Sequence, residues 1–213
     1  VPEQSAGVTY LYYNVPGVNR ADLGALHPDA RLECFFSTRD VEVSRASGRL
    51  HLLPLHFYDA HAYITARGRY DVALIQLSPP DGDGQCSFGI TAAFEPEAIG
   101  RAGTVVAEIN PAIPRSPGAP TYALDRLDYA VAADHPLREL TSPPPSAAYA
   151  ALGRNVASLI DDGDTLELGI GSAPAAILAA LTDRKDLGVH TGLISDPVID
   201  LMEAGVVTGA RKT

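Results

Sequence analysis

The chain has 213 residues, enough for one large domain or a close pair of small ones. A hydrophobic fraction of 46% with 20% charged residues excludes wholesale disorder. Sixteen Lys and Arg against 26 Asp and Glu give a net charge of −10, which leaves no basic footprint for a nucleic-acid backbone. No run of apolar residues is long enough to span a membrane, so no membrane partner is expected. The opening Val-Pro-Glu-Gln-Ser has neither the basic start nor the apolar core of a signal peptide. Two distant cysteines, Cys34 and Cys86, read as buried thiols in a reducing cytoplasm.

In chain order, strands are predicted over Val8–Tyr13, Arg31–Phe36 and Leu50–Leu53, then a helix over His56–Ala66 that Gly68 breaks. Asp71–Leu77 is a continuous apolar run of the kind buried on both faces. Ser78–Gly84 is loop by composition, and Phe94–Arg101 is a short helix. Thr104–Ile109 is a further buried strand, stopped by Asn110-Pro111, and Asp128–Ala133 is the next. The most linker-like stretch is Thr141–Pro145. Beyond it come a helix over Ser146–Ile160, a strand over Thr165–Leu168 and a helix over Ala175–Leu181. A strand over Leu187–Thr191 and a helix over Pro197–Ala204 close the series. This alternation implies an α/β fold with a mainly parallel open sheet and helices on both faces. Ligands of such sheets bind beyond the carboxyl ends of the strands, which directs attention to the loops after Leu77, Ile109, Leu168 and Thr191.

Gly169-Ile-Gly171-Ser-Ala-Pro174 follows a strand and opens a helix. Its glycines let backbone approach a ligand, free amides at a helix start favour an anion, and Pro174 suits a first turn. It lacks the third glycine of a dinucleotide fingerprint and the lysine of a P-loop, so a plain strand-to-helix turn and a ligand loop both remain open. In the loop Ser78–Gly89, Asp81 and Asp83 alternate as metal ligands do, but the other positions of a calcium loop are missing and no metal is assigned. In the loop Asn110–Gly118, Arg115 is either a grip for a carboxylate or phosphate or a surface arginine in a turn. His56 and His61 read as structural, being five residues apart and so not neighbours on a helix face. His190 lies at a strand's carboxyl end beside the glycine loop, where a hydrogen-bonded structural role competes with a ligand role.

Five ordered motifs make the chain recognisable: Asp71–Asp81, Ile109–Arg115, Thr165–Gly171, Leu187–Thr191, and the set Ser195-Asp196, Asp200-Leu201 and Glu203-Ala-Gly205. Together they resemble the acetyl-CoA hydrolase/transferase family, which includes the 4-hydroxybutyrate CoA-transferases. The resemblance runs over nearly the whole chain. It implies two similar α/β domains with the acyl-CoA site in the cleft between them. On that basis residues 1–213 correspond to the amino-terminal domain without its first strand–helix unit, and the second domain is absent. Gly169, Gly171, Pro174 and His190 would then shape the cleft wall near the thioester. Ser78, Pro79, Asn110 and Arg115 would line the acyl or pantetheine side.

The same resemblance exposes a departure. Family transferases carry His-Thr-Glu, whose glutamate attacks the thioester and forms an acyl-glutamyl anhydride and then a glutamyl-CoA thioester. Here the three residues are His190, Thr191 and Gly192, so that covalent route has no side chain to run through. Glu167 stands where relatives commonly carry Gln. A speculative catalytic role for it is general base on water near the vacant position, the alternative being a polar strand residue with no catalytic task.

The expected substrates are coenzyme A thioesters with carboxylic acids, with no covalently bound cofactor. The alternative is a non-catalytic acyl-CoA-binding or regulatory module that keeps the fold. The isolated chain is expected to be inactive, cytoplasmic, and to self-associate as a homo-oligomer through apolar surface left uncovered by the missing half.

Overall fold

The computed structural model describes residues 2–13, 19–89, 92–139 and 144–212. The chain divides into two compact units, Val1–Leu140 and Thr141–Thr213. The boundary falls at the stretch read as a linker, of which residues 141–143 lie outside the described residues.

In the first unit, β1 (Thr9–Tyr12), β2 (Arg31–Cys34) and β3 (Leu50–Leu52) form a parallel sheet in chain order, with α1 (Glu42–Ala46) in the connection before β3. Next come α2 (Phe57–Ala66), β4 (Tyr70–Leu77), β5 (Gln85–Ser87), α3 (Glu95–Ile99), β6 (Ala102–Ile109), β7 (Thr121–Ala123) and β8 (Tyr129–Ala132). A second parallel sheet has the order β4-β6-β8. An aromatic cluster of Phe35, Phe57 and Phe94 with Tyr13 fastens α2 and α3 to the first sheet, the Phe57 and Phe94 rings lying 4.7 Å apart.

The second sheet departs from expectation. β4 alternates instead of being buried on both faces: Ala73, Ile75 and Leu77 point into the core, while Val72 and Leu74 are exposed. The core face packs with Val105 and Ala107 of β6 against Cys86, Phe88 and Ile99. An apolar run does not encode how many faces have a cover, because that depends on distant elements. Burial of each large aliphatic side chain here contributes roughly 1.5–3 kcal/mol.

A hairpin-like pair also emerges, β5 from the loop Ser78–Gly89 and β7 from a stretch with no element predicted. β5 and β7 pair antiparallel, Gln85 opposite Ala123 and Ser87 opposite Thr121. Three-residue strands between Gly and Pro carry too little periodicity to be seen in sequence. The pair ties together the loops that follow β4 and β6.

The second unit runs α4 (Ala147–Ala157), β9 (Thr165–Leu166), α5 (Ser172–Ala179), β10 (Gly188–Val189) and α6 (Asp196–Glu203). Ser146 caps α4 by accepting from the Tyr149 amide. β9 and β10 pair in parallel around α5, and Leu178, Leu181, Leu187, Val198 and Leu201 form the core. α5 begins at Ser172, three residues earlier than the sequence suggests, so Pro174 lies inside the first turn. A proline is tolerated there because its missing N–H has no carbonyl to bond; the first i to i−4 bond is from the Ala175 amide to the Gly171 carbonyl. The architecture is therefore α/β with parallel sheets, as expected. No helix among the described residues is long and apolar enough to cross a membrane.

Candidate functional site

The predicted residues fall into two groups. Ser78, Pro79, Asn110 and Arg115 belong to the first unit; Glu167, Gly169, Gly171, Pro174, His190 and Gly192 belong to the second.

In the first group the β4 and β6 ends hold each other. Ser78 is buried, and its Oγ accepts from the Ser87 amide at 2.9 Å and from Arg115 Nη1 at 3.3 Å. Arg115 Nη1 also donates to the carbonyls of Gln85 at 2.8 Å and Pro79 at 3.4 Å, while Nη2 donates to Asp81 Oδ2 at 2.6 Å. Asp81 Oδ1 accepts the amides of Asp83 and Gln85. Those bonds, the Gln85 amide first, with the Arg115 charge behind them, hold the Asp81 carboxyl below its ordinary range. The Asp81–Asp83 alternation is thus a turn device. The Arg115 fork is spent on its own loops, and both Arg115 and Pro79 are exposed while Ser78 and Asn110 are buried.

Asn110 is fully buried. Its Oδ1 accepts the Ala112 amide at 3.0 Å, and its Nδ2 donates to the His135 carbonyl at 3.0 Å. His135 Nε2 meets Glu108 Oε1 at 2.9 Å, and Gln76 Nε2 donates to the same oxygen at 2.8 Å. The Pro136 carbonyl and the Glu108 carboxylate together raise the His135 pKa. Sequence reasoning missed the pairing of Glu108 with His135. They sit on separate strands or loops 27 residues apart, and only the β6–β8 register brings them together.

The second group sits where β9 and β10 end. Leu166 lies opposite Val189, and the contact continues past the strands: the His190 amide donates to the Leu166 carbonyl at 2.9 Å, and Thr191 Oγ1 donates to the Leu168 carbonyl at 2.7 Å. Continued one residue past its last pair, the same register puts Glu167 across from His190. Leu166, Leu168 and Val189 pack into the core, so Glu167 and His190 share the opposite, exposed face. Gly169 and Gly192 are the next residues on that face. A Cβ at Gly192 would meet nothing within 4 Å. Gly171, at φ 116°, makes the turn into α5, a conformation that L side chains rarely adopt. A groove of about 390 Å³ opens beside His190, walled by Val189, Ile194, Val198, Met202 and Lys212. Exposed Ile170, Leu193 and Ile194 surround the glycine loops.

Glu167, exposed and beside a histidine, can in principle accept a proton from water; Gly192 offers room and no functional group. Cys34 and Cys86 are free, and burial raises both thiol pKa values, so neither is a ready nucleophile.

Residues 22–137 match the model of the acetyl-CoA hydrolase/transferase N-terminal domain. That span contains Ser78, Asn110 and Arg115 and stops short of the glycine loops. The chain is 44% identical over 168 residues to 4-hydroxybutyrate coenzyme A transferase of Clostridium kluyveri, covering 78% of this chain and 39% of that protein. It is 32% identical over 185 residues to succinyl-CoA:cyclohexane-1-carboxylate CoA transferase of Geobacter metallireducens, covering 87% and 42%. The chain thus spans about two fifths of the length of these curated relatives. The crystal structure of 4-hydroxybutyrate CoA-transferase from Porphyromonas gingivalis superposes with a TM-score of 0.77 at 28% identity, over 99% of this chain and 57% of that one. RipA from Yersinia pestis shares the fold, with a TM-score of 0.82 at 22% identity over 100% of this chain and 60% of that one. With the family model matching more than half of its length, the chain belongs to the acetyl-CoA hydrolase/transferase family.

Proposed function

We propose that this chain supplies the amino-terminal part of a protein that binds short acyl-CoA thioesters, with the thioester meeting the exposed face that carries Glu167, Gly169, His190 and Gly192. The observation that supports the reading is the parallel register of β9 and β10, which, continued one residue past its last pair by the bond from the His190 amide to the Leu166 carbonyl, puts Glu167 across from His190, two residues before the Gly192 position where the resemblance implies a nucleophilic glutamate. Glu167 acts there as general base on water, making the site hydrolytic instead of group-transferring. Glycine amides at the start of α5 steady the developing oxyanion. Within the first unit, Ser78, Asn110 and Arg115 fix the loops beyond β4 and β6 through their hydrogen bonds.

The test has two arms. In the 213-residue chain, acetyl-CoA shifts the NMR amide signals of Gly169–Ser172 and His190–Gly192; no shift at these amides removes the reading. In a protein that includes the second half, Glu167→Gln lowers thiol release by roughly 10² or more. Retention within a factor of about three rejects the general base. The isolated chain itself releases no thiol.

The bare backbone at Gly192 favours a second reading, a module that binds acyl-CoA without turnover. Binding with no thiol release in the longer protein selects it. Two buried, unbridged cysteines support a reducing cytoplasmic location. The exposed row Val72, Leu74 and Val131 supports self-association of the chain, and a strictly monomeric species in light scattering rejects that.

A further inference from the structure

Past the last β6–β8 bond, from the Ala133 amide to the Ile109 carbonyl at 2.9 Å, the chain leaves the sheet and His135 ties it back. The ring is held on both sides. Nε2 lies 2.9 Å from Glu108 Oε1, an acceptor that demands a proton there. Nδ1 has two neighbours of opposite kind, each at 3.3 Å: the Pro136 carbonyl, which accepts, and Asn110 Nδ2, which donates. No single protonation state serves both. The imidazolium donates from Nε2 to Glu108 and from Nδ1 to Pro136, and leaves Asn110 its bond to the His135 carbonyl at 3.0 Å. The neutral ring keeps its proton on Nε2, because the other tautomer sets a lone pair against the Glu108 carboxylate. Its bare Nδ1 then accepts from Asn110 and stands lone pair to lone pair against the Pro136 carbonyl.

Among the described residues, the charged groups that act on the ring are two carboxylates, Glu108 of β6 and Asp134 beside it in the chain. β4 contributes the neutral Gln76, which donates to Glu108 Oε1, and the loop after β6 contributes the neutral Asn110. The Pro136 carbonyl first, then Glu108 with Asp134 behind it, hold the ring's pKa above the ordinary 6.5.

We propose that His135 is a proton-operated clasp at the carboxyl end of the β4-β6-β8 sheet. Protonated, it fastens Pro136 and the segment leaving β8 to Glu108 of β6; neutral, it gives Nδ1 to Asn110 and releases the Pro136 carbonyl. Asn110 is buried and its Oδ1 accepts the Ala112 amide at 3.0 Å, so the loop after β6 feels the exchange. The clasp is closed below 6.5 and opens as pH rises through the folded value. It lies wholly in the first unit and does not depend on the acyl-CoA reading.

An NMR titration of the 213-residue chain tests it, following the His135 ring, the Pro136 carbonyl carbon and the Asn110 side-chain amide. One shared midpoint above the ordinary 6.5 is expected. Protection of the Ala133 amide against exchange falls about fivefold across that midpoint, the effect of one lost hydrogen bond nearby. In His135→Gln, whose fold circular dichroism checks, the Pro136 and Asn110 signals no longer titrate in this range. Glu108→Gln moves the three midpoints down together, and this arm stands on its own if His135→Gln does not fold. Pro136 or Asn110 signals that hold still while the ring titrates overturn the proposal. So do signals that still titrate in a folded His135→Gln, and midpoints that separate in Glu108→Gln.

Discussion

Arg115 Nη2 lies 2.6 Å from Asp81 Oδ2, which locks the loop after β6 onto the loop after β4. The pair is half exposed, so its own Coulomb energy is small, and the surrounding hydrogen bonds do most of the holding. Arg115→Ala is expected to lower stability by about 1 kcal/mol, read as a reduced urea midpoint. It also speeds amide exchange at Gln85 and Ser87, whose loop loses its anchor. Unchanged exchange there contradicts the anchoring role.

Asp81 adds a pH dependence of known sign. Its folded pKa lies below the ordinary 3.8, so its contribution is present above that value and is lost as pH falls through the folded pKa. Asp81→Asn is expected to flatten the acid limb of stability against pH below the ordinary value. An unaltered acid limb removes the assignment.

The opposite sign holds at His135, whose folded pKa lies above the ordinary 6.5 through the Pro136 carbonyl and Glu108. Its contribution is complete below 6.5 and is lost as pH rises through the folded pKa. An NMR titration of His135 should show the raised value, and Glu108→Gln should bring it down. A titration that Glu108→Gln leaves unmoved rejects this pairing.

Gly153 on α4 lies against the backbone of α5, where a Cβ would stand 2.2 Å from the Ala176 carbonyl oxygen. Gly153→Ala therefore forces the helices apart and is expected to cost about 1–3 kcal/mol in denaturant unfolding. Gain of stability, the usual result of Gly→Ala in an open helix, contradicts the close crossing.

Gly192 predicts the reverse, because open space surrounds it. Gly192→Glu is expected to leave stability within about 0.5 kcal/mol of the parent chain. Gly171→Ala, at φ 116°, is destabilised by about 1 kcal/mol or more in the same experiment. Equal effects at the two glycines go against the distinction between a strained turn and a vacant one.

Local patterning in the sequence was sufficient for the helix over residues 57–66, the strands over 70–77 and 102–109, and the glycine turn after Leu168, because each carries its own period or breaker residue. The five motifs were sufficient for the family, because their order and spacing survive without any knowledge of contacts. Three things needed the tertiary structure. The exposed face of β4 depends on which remote element covers it. The occupation of Arg115 by Asp81, Ser78 and Gln85 depends on the β5–β7 pairing, and the Glu108–His135 contact depends on the β6–β8 register. In each case the deciding energy lies in contacts between residues far apart in the chain, and a linear pattern carries no term for those contacts.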